Sequence, residues 1–382
     1  MSSLNPSILR HKCDKTYEKL AKPGKDYSVY SNKHYQGETI LGEYWVEQVF
    51  QDKPSGFYAL GLLSLSGENP PVLVIRGFGN WGRLEEFPTE FLPYNDIPDV
   101  VVTKSDEQFQ AAKKSGVINW LKCKAIKGMK PDVVGQSLGG KVGQQITVEA
   151  PDYIHSLVTF NSIGISAEEF KKYKGRVEIC HYINVADLVP YVLGENFLPG
   201  TIFQVSDPTI KKYDFLGQHN KLVLDNPLTS CQEVKIEAFH WVRELCQSLK
   251  NYSQTVLKQV EALNKIARQE SAEFDRSFSG KTTEQHIEKS YQVVQQEFRK
   301  IRRTIVEELL ENMDSLGFAS LVHKKVNPSI EGIQKEMKTL SKTVQQEVNS
   351  SGKTSQSFNQ MLQQELKDSA WAIQQKFDKL TK

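Results

Sequence analysis

The sequence has few cysteines and no apolar run long enough to cross a bilayer. Only five of its 382 residues are cysteine, and they are scattered without a C-x-x-C spacing. This argues against a disulfide framework or a zinc site and favours free thiols in a reducing compartment. The uncharged stretches fall short of the roughly 20 residues that a membrane-spanning helix needs. We therefore expect a chain that is made as a cytoplasmic protein.

Charge of one sign, signal segments and metal-ligand clusters are also lacking. The 48 basic residues nearly balance the 46 acidic ones, for a net charge of +2, so no nucleic-acid partner is predicted. The N-terminus has no apolar core of the kind that a Sec signal peptide carries, although export by a non-Sec route stays open. No His, Cys and Asp residues have ligand spacing, and no complete phosphate-binding loop is present. We therefore predict neither a metal nor a cofactor.

Two regions of different pattern follow one another along the chain. Up to about residue 250, short apolar runs alternate with Gly, Pro and Asn, which is typical of strands alternating with helices. Beyond it, Gln, Lys and Glu dominate, and apolar residues return every three or four positions. The sequence predicts an α/β domain over 1–250, with a mostly parallel sheet and flanking helices, and an all-α region over 251–382.

The second region carries four one-sided apolar stripes, within 242–263, 287–309, 330–348 and 358–380. Each stripe must be buried against something. A helical bundle packed on itself is the first interpretation. Self-association as a coiled coil or docking of a protein partner are the alternatives, and peripheral contact with a membrane is a weaker one.

The motif that carries chemistry is Gly135-Gln136-Ser137-Leu138-Gly139. A buried-strand pattern precedes it and an amphipathic-helix pattern follows, as expected of a nucleophile elbow. On such a turn the serine hydroxyl stands exposed, and the helix N-terminus with the amide of Leu138 can stabilise an oxyanion. The flanking glycines leave room for the neighbouring strand and helix.

A serine nucleophile needs a base, and the base needs an orienting carboxylate. In this fold the three residues follow one another along the chain as Ser, Asp or Glu, then His. We predict Asp187 as the acid, because it follows an apolar strand-like segment. The alternative is that Asp187 merely caps a turn. Four histidines follow Asp187, and His286 and His323 lie in the helical region, which leaves His219 and His240. We favour His240 as the base, because it comes after a strand-like stretch at the start of a long helix, and keep His219 as the alternative.

Several segments in the right order resemble the class 3 lipase family, in its bacterial lipase-like branch. They are SGFYALGLLS with PVLVIRGFGNW, VVGQSLGG, HSLVTFNSIGIS, HYINVADLVP and FLGQHNKLVLD, and they span about residues 35–250. The last resembles a non-catalytic histidine segment of that family, which again favours His240 as base.

The resemblance implies an α/β-hydrolase that cleaves carboxylic esters of lipids, as a lipase, phospholipase or lysophospholipase. Ser137 would be acylated, and the amides of Phe78 and Leu138 would bind the oxyanion. Two residues depart from the family pattern. Phe78 stands where Ser or Thr is usual, so a hydroxyl donor is lost, and Gln136 stands where His is usual.

Other functions remain as alternatives from the sequence. One is a carboxylesterase or thioesterase acting on a soluble acyl compound. Another is a weakly active or degenerate hydrolase that serves as a scaffold, with helices 251–382 binding a partner, as in an exported effector. Acyl specificity has no readable code in the loops that form such pockets.

Overall fold

The computed structural model describes two separate parts of the chain. The first unit comprises Met1–Thr89 and Ile97–His240, and the second comprises Glu90–Asp96 and Trp241–Lys382. The residues that the structure describes are 15–21, 28–31, 34–77, 99–185, 187, 189–192, 196–206, 219, 224, 228–235, 239–240, 242–244, 256, 289–290, 292–293, 296–297, 300 and 326–350.

A sheet of nine strands among the described residues forms the first unit, and the strands lie side by side in chain order. They are β1 (Thr39–Ile40), β2 (Tyr44–Asp52), β3 (Phe57–Ser64), β4 (Val72–Ile75), β5 (Asp132–Gln136), β6 (Ser156–Phe160), β7 (Glu178–Asn184), β8 (Thr201–Ser206) and β9 (Ser230–Val234).

The sheet is mixed, which corrects the prediction of a mostly parallel one. Strands β1 to β4 pair antiparallel, β4 to β8 pair parallel, and β9 returns antiparallel along β8. The physical reason is the length of the connections. Short turns join β1 to β4 as hairpins, whereas the parallel strands need crossovers of a dozen residues or more.

The described helices that accompany this sheet are α1 (Asp99–Lys114), α2 (Val117–Ile126), α3 (Leu138–Glu149), α4 (Ala167–Lys172) and the short α5 (Val189–Val192). The predicted mixture of strands and flanking helices is thus confirmed. In the described parts of the chain, no helix combines the length and apolarity that crossing a membrane requires.

The central strands are buried throughout. Every residue of β4, β5 and β6 is buried, as expected where elements cover both faces of a parallel sheet. The continuous apolar runs of the sequence, such as VLVI in β4, have this origin. The carboxyl end of β5 is therefore a rigid and water-poor place, which is what a precisely positioned side chain requires.

In the second unit, α6 (Asn327–Ser350) follows the third predicted stripe and buries its apolar side chains Ile330, Ile333, Met337 and Leu340. Glu336 on its polar side accepts at Oε1 from the Ser290 hydroxyl over 2.8 Å. The other three predicted stripes lie mostly outside the described residues.

One buried histidine in the first unit makes folding sensitive to acid. His181 on β7 is fully buried, donates from Nε2 to the carbonyl of Leu198 (3.0 Å) and accepts at Nδ1 from the Thr159 hydroxyl (2.7 Å). This pattern needs a neutral ring. Burial lowers the pKa of His181 to about 4, because the imidazolium would lose its hydration, and nearby His240 adds to the lowering.

Stability of the first unit should therefore fall as the pH falls. Above pH 6.5 the His181 ring is neutral in both the folded and the unfolded state. Between pH 6.5 and about 4 only the unfolded state binds a proton at this ring, so the free energy of unfolding falls by about 3 kcal/mol. Urea unfolding at a series of pH values should show this loss in the wild type and a shallower slope in His181→Gln. An unchanged slope in the variant would contradict the assignment.

Candidate active site

Ser137 occupies a strained turn between β5 and α3. Its backbone has φ 55° and ψ −125°, a conformation that a non-glycine residue adopts at a cost of about 1–3 kcal/mol. Four backbone hydrogen bonds hold it there. Its N–H donates to the carbonyl of Phe160 (2.9 Å), and its carbonyl accepts from Gly140 (3.0 Å), Lys141 (3.3 Å) and Ile163 (3.3 Å). This is the predicted strand–turn–helix elbow.

Two glycines of the motif are required by close approach of backbone segments. A Cβ on Gly135 would lie 2.4 Å from the carbonyl oxygen of Gly139. A Cβ on Gly139 would lie 2.5 Å from the carbonyl oxygen of Ile75, at the end of β4. Any side chain at either position would push the helix away from the sheet and release the turn that carries Ser137.

The histidine that contacts Ser137 is His219. Its Nε2 lies 2.8 Å from Ser137 Oγ, and its Nδ1 lies 2.7 Å from Asp187 Oδ2. A carboxylate only accepts, so Nδ1 carries the proton, and Nε2 is free to accept the serine proton. The three side chains thus stand in the order that general-base activation of a hydroxyl needs.

The sequence-based preference for His240 over His219 is therefore corrected. His240 belongs to the helical turn at 239–240, which follows the antiparallel edge strand β9, and its charge would interact with the buried ring of His181. The ring nitrogens that contact Ser137 Oγ and Asp187 Oδ2 both belong to His219. Position in space depends on the paths of the connections between strands, which the local patterns around the two histidines do not report.

Asp187 is anchored by its own loop at the carboxyl end of β7. Its N–H donates to the carbonyl of Asn184 (3.0 Å), and its Oδ1 accepts from the N–H of Val189 (3.0 Å). The turn-capping interpretation is thus correct for one carboxylate oxygen, while the other faces His219. Capping fixes the direction in which Oδ2 points.

Two amide side chains that sequence reasoning did not connect with the base contact its main chain. The carbonyl of His219 accepts from Gln136 Nε2 (3.1 Å) and from Asn161 Nδ2 (2.9 Å). Asn161 has φ 46°, which Asn tolerates better than most residues. The sequence contained a signal for it: the Thr-Phe-Asn ending of β6 placed an amide beside the elbow.

The predicted oxyanion donors can be located only in part. Leu138 is the first residue of α3 and is buried beside Ser137, so its amide belongs to the helix N-terminus. Phe78 lies outside the described residues. Its neighbour Gly77 does approach the elbow, since a Cβ there would lie 3.3 Å from Ser137 Cβ. Gly77, two residues after β4, thus lies beside Ser137.

The reacting groups are shielded from water. Ser137 is 1% exposed, and Asp187 and His219 are 0% exposed. Burial strengthens the Asp187–His219 interaction, because little water is present to screen it. Among the described residues, no group of His, Cys, Asp and Glu could hold a metal ion.

Fold and site together define an α/β protein with a buried Ser–His–Asp arrangement on a nucleophile elbow. The chain matches no protein-family model and no curated protein sequence. Solved structures similar to it include a triacylglycerol lipase from Penicillium expansum (16% identity, TM-score 0.37, 51% of this chain and 80% of that one). Another is a lipase from Rhizopus microsporus var. chinensis (12% identity, TM-score 0.37, 53% of this chain and 76% of that one). A third is the Rhizomucor miehei lipase propeptide complex (16% identity, TM-score 0.37, 58% of this chain and 80% of that one).

The assignment of the base predicts how Ser137 reacts. His219→Ala should slow fluorophosphonate labelling of Ser137 by about 10⁴-fold, because the hydroxyl loses its proton acceptor. His240→Ala is the matched control and should label within a few-fold of wild type. Mass spectrometry of the labelled peptide gives the rates. The reverse order of the two variants would contradict the geometry.

Proposed function

We propose that the first unit is a serine hydrolase that cleaves carboxylic esters through an acyl-Ser137 intermediate. The observation that carries the proposal is the hydrogen-bonded order Ser137–His219–Asp187 on a strained elbow. A buried serine with positive φ and a buried imidazole at its hydroxyl is costly to fold. Nucleophilic catalysis gives this arrangement a use.

Each residue has a distinct role in the proposed reaction. Ser137 Oγ attacks the ester carbonyl carbon while His219 Nε2 takes its proton, and the carbonyl oxygen becomes an oxyanion. The tetrahedral intermediate collapses with loss of the alcohol, which receives the proton from His219. Water then repeats the sequence on the acyl-enzyme and releases the acid. Asp187 holds the tautomer and stabilises the imidazolium.

The amide of Leu138 is the proposed oxyanion donor within the described residues. Helix α3 adds the positive end of its dipole at the same place. The amide of Phe78 is the second donor that we propose, from the resemblance of the Arg-Gly turn. A missing hydroxyl donor at that residue is worth up to about 3 kcal/mol in the transition state, so we expect a slow hydrolase.

Lipid esters are the proposed substrate class. The support is the order of class 3 lipase-like segments along 35–250. A soluble acyl compound is the competing substrate class, and it requires no apolar surface beyond a short acyl pocket.

A chain-length series on the full chain tests both parts. Wild type should hydrolyse p-nitrophenyl octanoate and decanoate with a higher kcat/KM than acetate, and should release fatty acid from phospholipid vesicles. Ser137→Ala should abolish both reactions. Ser156→Ala is the matched control, because it removes a buried serine hydroxyl at the opposite end of the parallel strands.

Three results would contradict parts of the proposal. A preference for acetate would replace lipid by a soluble ester. Hydrolysis that survives in Ser137→Ala would remove the nucleophile assignment. Absence of both hydrolysis and fluorophosphonate labelling in wild type would leave a degenerate hydrolase domain.

A further inference from the structure

We infer that Gln136 and Asn161 are positioning residues for His219, and that Tyr30 couples them to the turn after β4. The inference deepens the proposed function, since it concerns the base of the same site. It identifies a chemical use for Gln136, the residue that departs from the family pattern.

Gln136 is the last residue of β5 and is buried directly before the nucleophile. Its Nε2 donates to the carbonyl of His219 (3.1 Å), and its Oε1 accepts from the Tyr30 hydroxyl (2.8 Å). The amide must be oriented this way, because a carbonyl and a hydroxyl proton can be satisfied together only by one N–H donor and one oxygen acceptor. A carboxylate of the same shape could serve Tyr30 but could not donate to His219.

Asn161 holds the same carbonyl from the next strand. It follows β6, donates from Nδ2 to His219 (2.9 Å) and accepts at Oδ1 from the N–H of Asn184 (2.8 Å). Asn184 in turn accepts the N–H of Asp187 through its carbonyl (3.0 Å). The acid and the main chain of the base are therefore joined by three consecutive hydrogen bonds.

Two points of the base are thereby fixed independently. Asp187 and Ser137 hold the ring nitrogens of His219, whereas Gln136 and Asn161 hold its carbonyl. Both amide residues lie at the carboxyl ends of the buried strands β5 and β6. Because Ser137 also follows β5, nucleophile and base are located relative to the same rigid strands. Shifts of about 1 Å in such a geometry cost up to about 100-fold in rate.

Tyr30 extends the network toward the predicted oxyanion turn. Its hydroxyl donates to Gln136 and accepts the N–H of Gly77 (2.9 Å). Gly77 precedes Phe78, whose amide is the second proposed oxyanion donor. One hydroxyl therefore joins Gly77 to Gln136, which contacts the main chain of His219.

The test uses variants that keep shape but remove a donor. Gln136→Glu and Asn161→Asp each keep an acceptor oxygen and lose the N–H that reaches His219. Asp also tolerates the positive φ of position 161. We expect kcat for p-nitrophenyl esters and the labelling rate of Ser137 to fall about 10- to 100-fold, with KM within about two-fold of wild type. Tyr30→Phe should lower kcat by about five-fold, because it removes the hydroxyl that bonds Gln136 and Gly77 and leaves both amide donors to His219 in place.

The chain offers a matched control for each kind of change. Gln108→Glu also replaces a buried amide that donates to a main-chain carbonyl, that of Ser55 at 3.4 Å, away from Ser137. Tyr58→Phe removes a buried hydroxyl that makes no hydrogen bond within the described part of the chain. Both controls should keep wild-type kcat. Thermal unfolding verifies that every compared variant is folded.

A second readout does not depend on activity. The proton on His219 Nδ1, hydrogen-bonded to Asp187, should give a downfield ¹H NMR signal in wild type and in Gln108→Glu. It should broaden or disappear in Gln136→Glu and Asn161→Asp, because the ring is no longer held. Tyr30→Phe, the mildest change, covers the case in which a charged variant does not fold.

The outcomes separate this inference from the proposed function. If wild type neither hydrolyses esters nor labels, the proposed function fails, and the NMR signal alone decides the positioning. A retained signal, or kcat within two-fold of wild type, in folded Gln136→Glu and Asn161→Asp would overturn the inference. A parallel rise in KM with unchanged kcat would also overturn it, since that result indicates altered substrate binding.

Discussion

The strained backbone of Ser137 is the constraint on which the rest of the site depends. A non-glycine residue at φ 55° is stable only if its surroundings allow no alternative. Here buried parallel strands on both sides, the Phe160 carbonyl and the close contact of Gly139 with the end of β4 supply that rigidity. The same rigidity then serves every other group in the site, because Gln136 and Asn161 extend from the strands that hold the turn.

A buried polar network of this kind stabilises the fold only when all its members are bonded. The His219 ring uses both nitrogens, its carbonyl receives two amide donors, and Asp187 divides its oxygens between His219 and Val189. Loss of one partner leaves a buried polar group unsatisfied, at a cost of about 1–3 kcal/mol. Fold stability and site geometry are therefore properties of the same hydrogen bonds.

The sequence predicted the elements better than it predicted their partners. The elbow, the α/β character of the first region and the strand before Asp187 follow from local patterns of apolar residues, Gly and Pro, which report on burial and turn geometry. The sheet was predicted as mostly parallel, whereas β1 to β4 pair antiparallel. The pattern of apolar residues within a strand does not show whether the strand pairs parallel or antiparallel with its neighbour. The third helical stripe coincides with α6, where 3.6-residue periodicity is strong.

The sequence by itself determined which residue types could carry the chemistry: a serine between glycines that only a sharp turn explains, and an aspartate after a strand. Tertiary structure alone decided that His219 rather than His240 completes the arrangement, and that Gln136 and Asn161 hold it. The physical reason is distance along the chain. His219 is 82 residues from Ser137 and 32 from Asp187, and local sequence preference does not report on contacts over such separations.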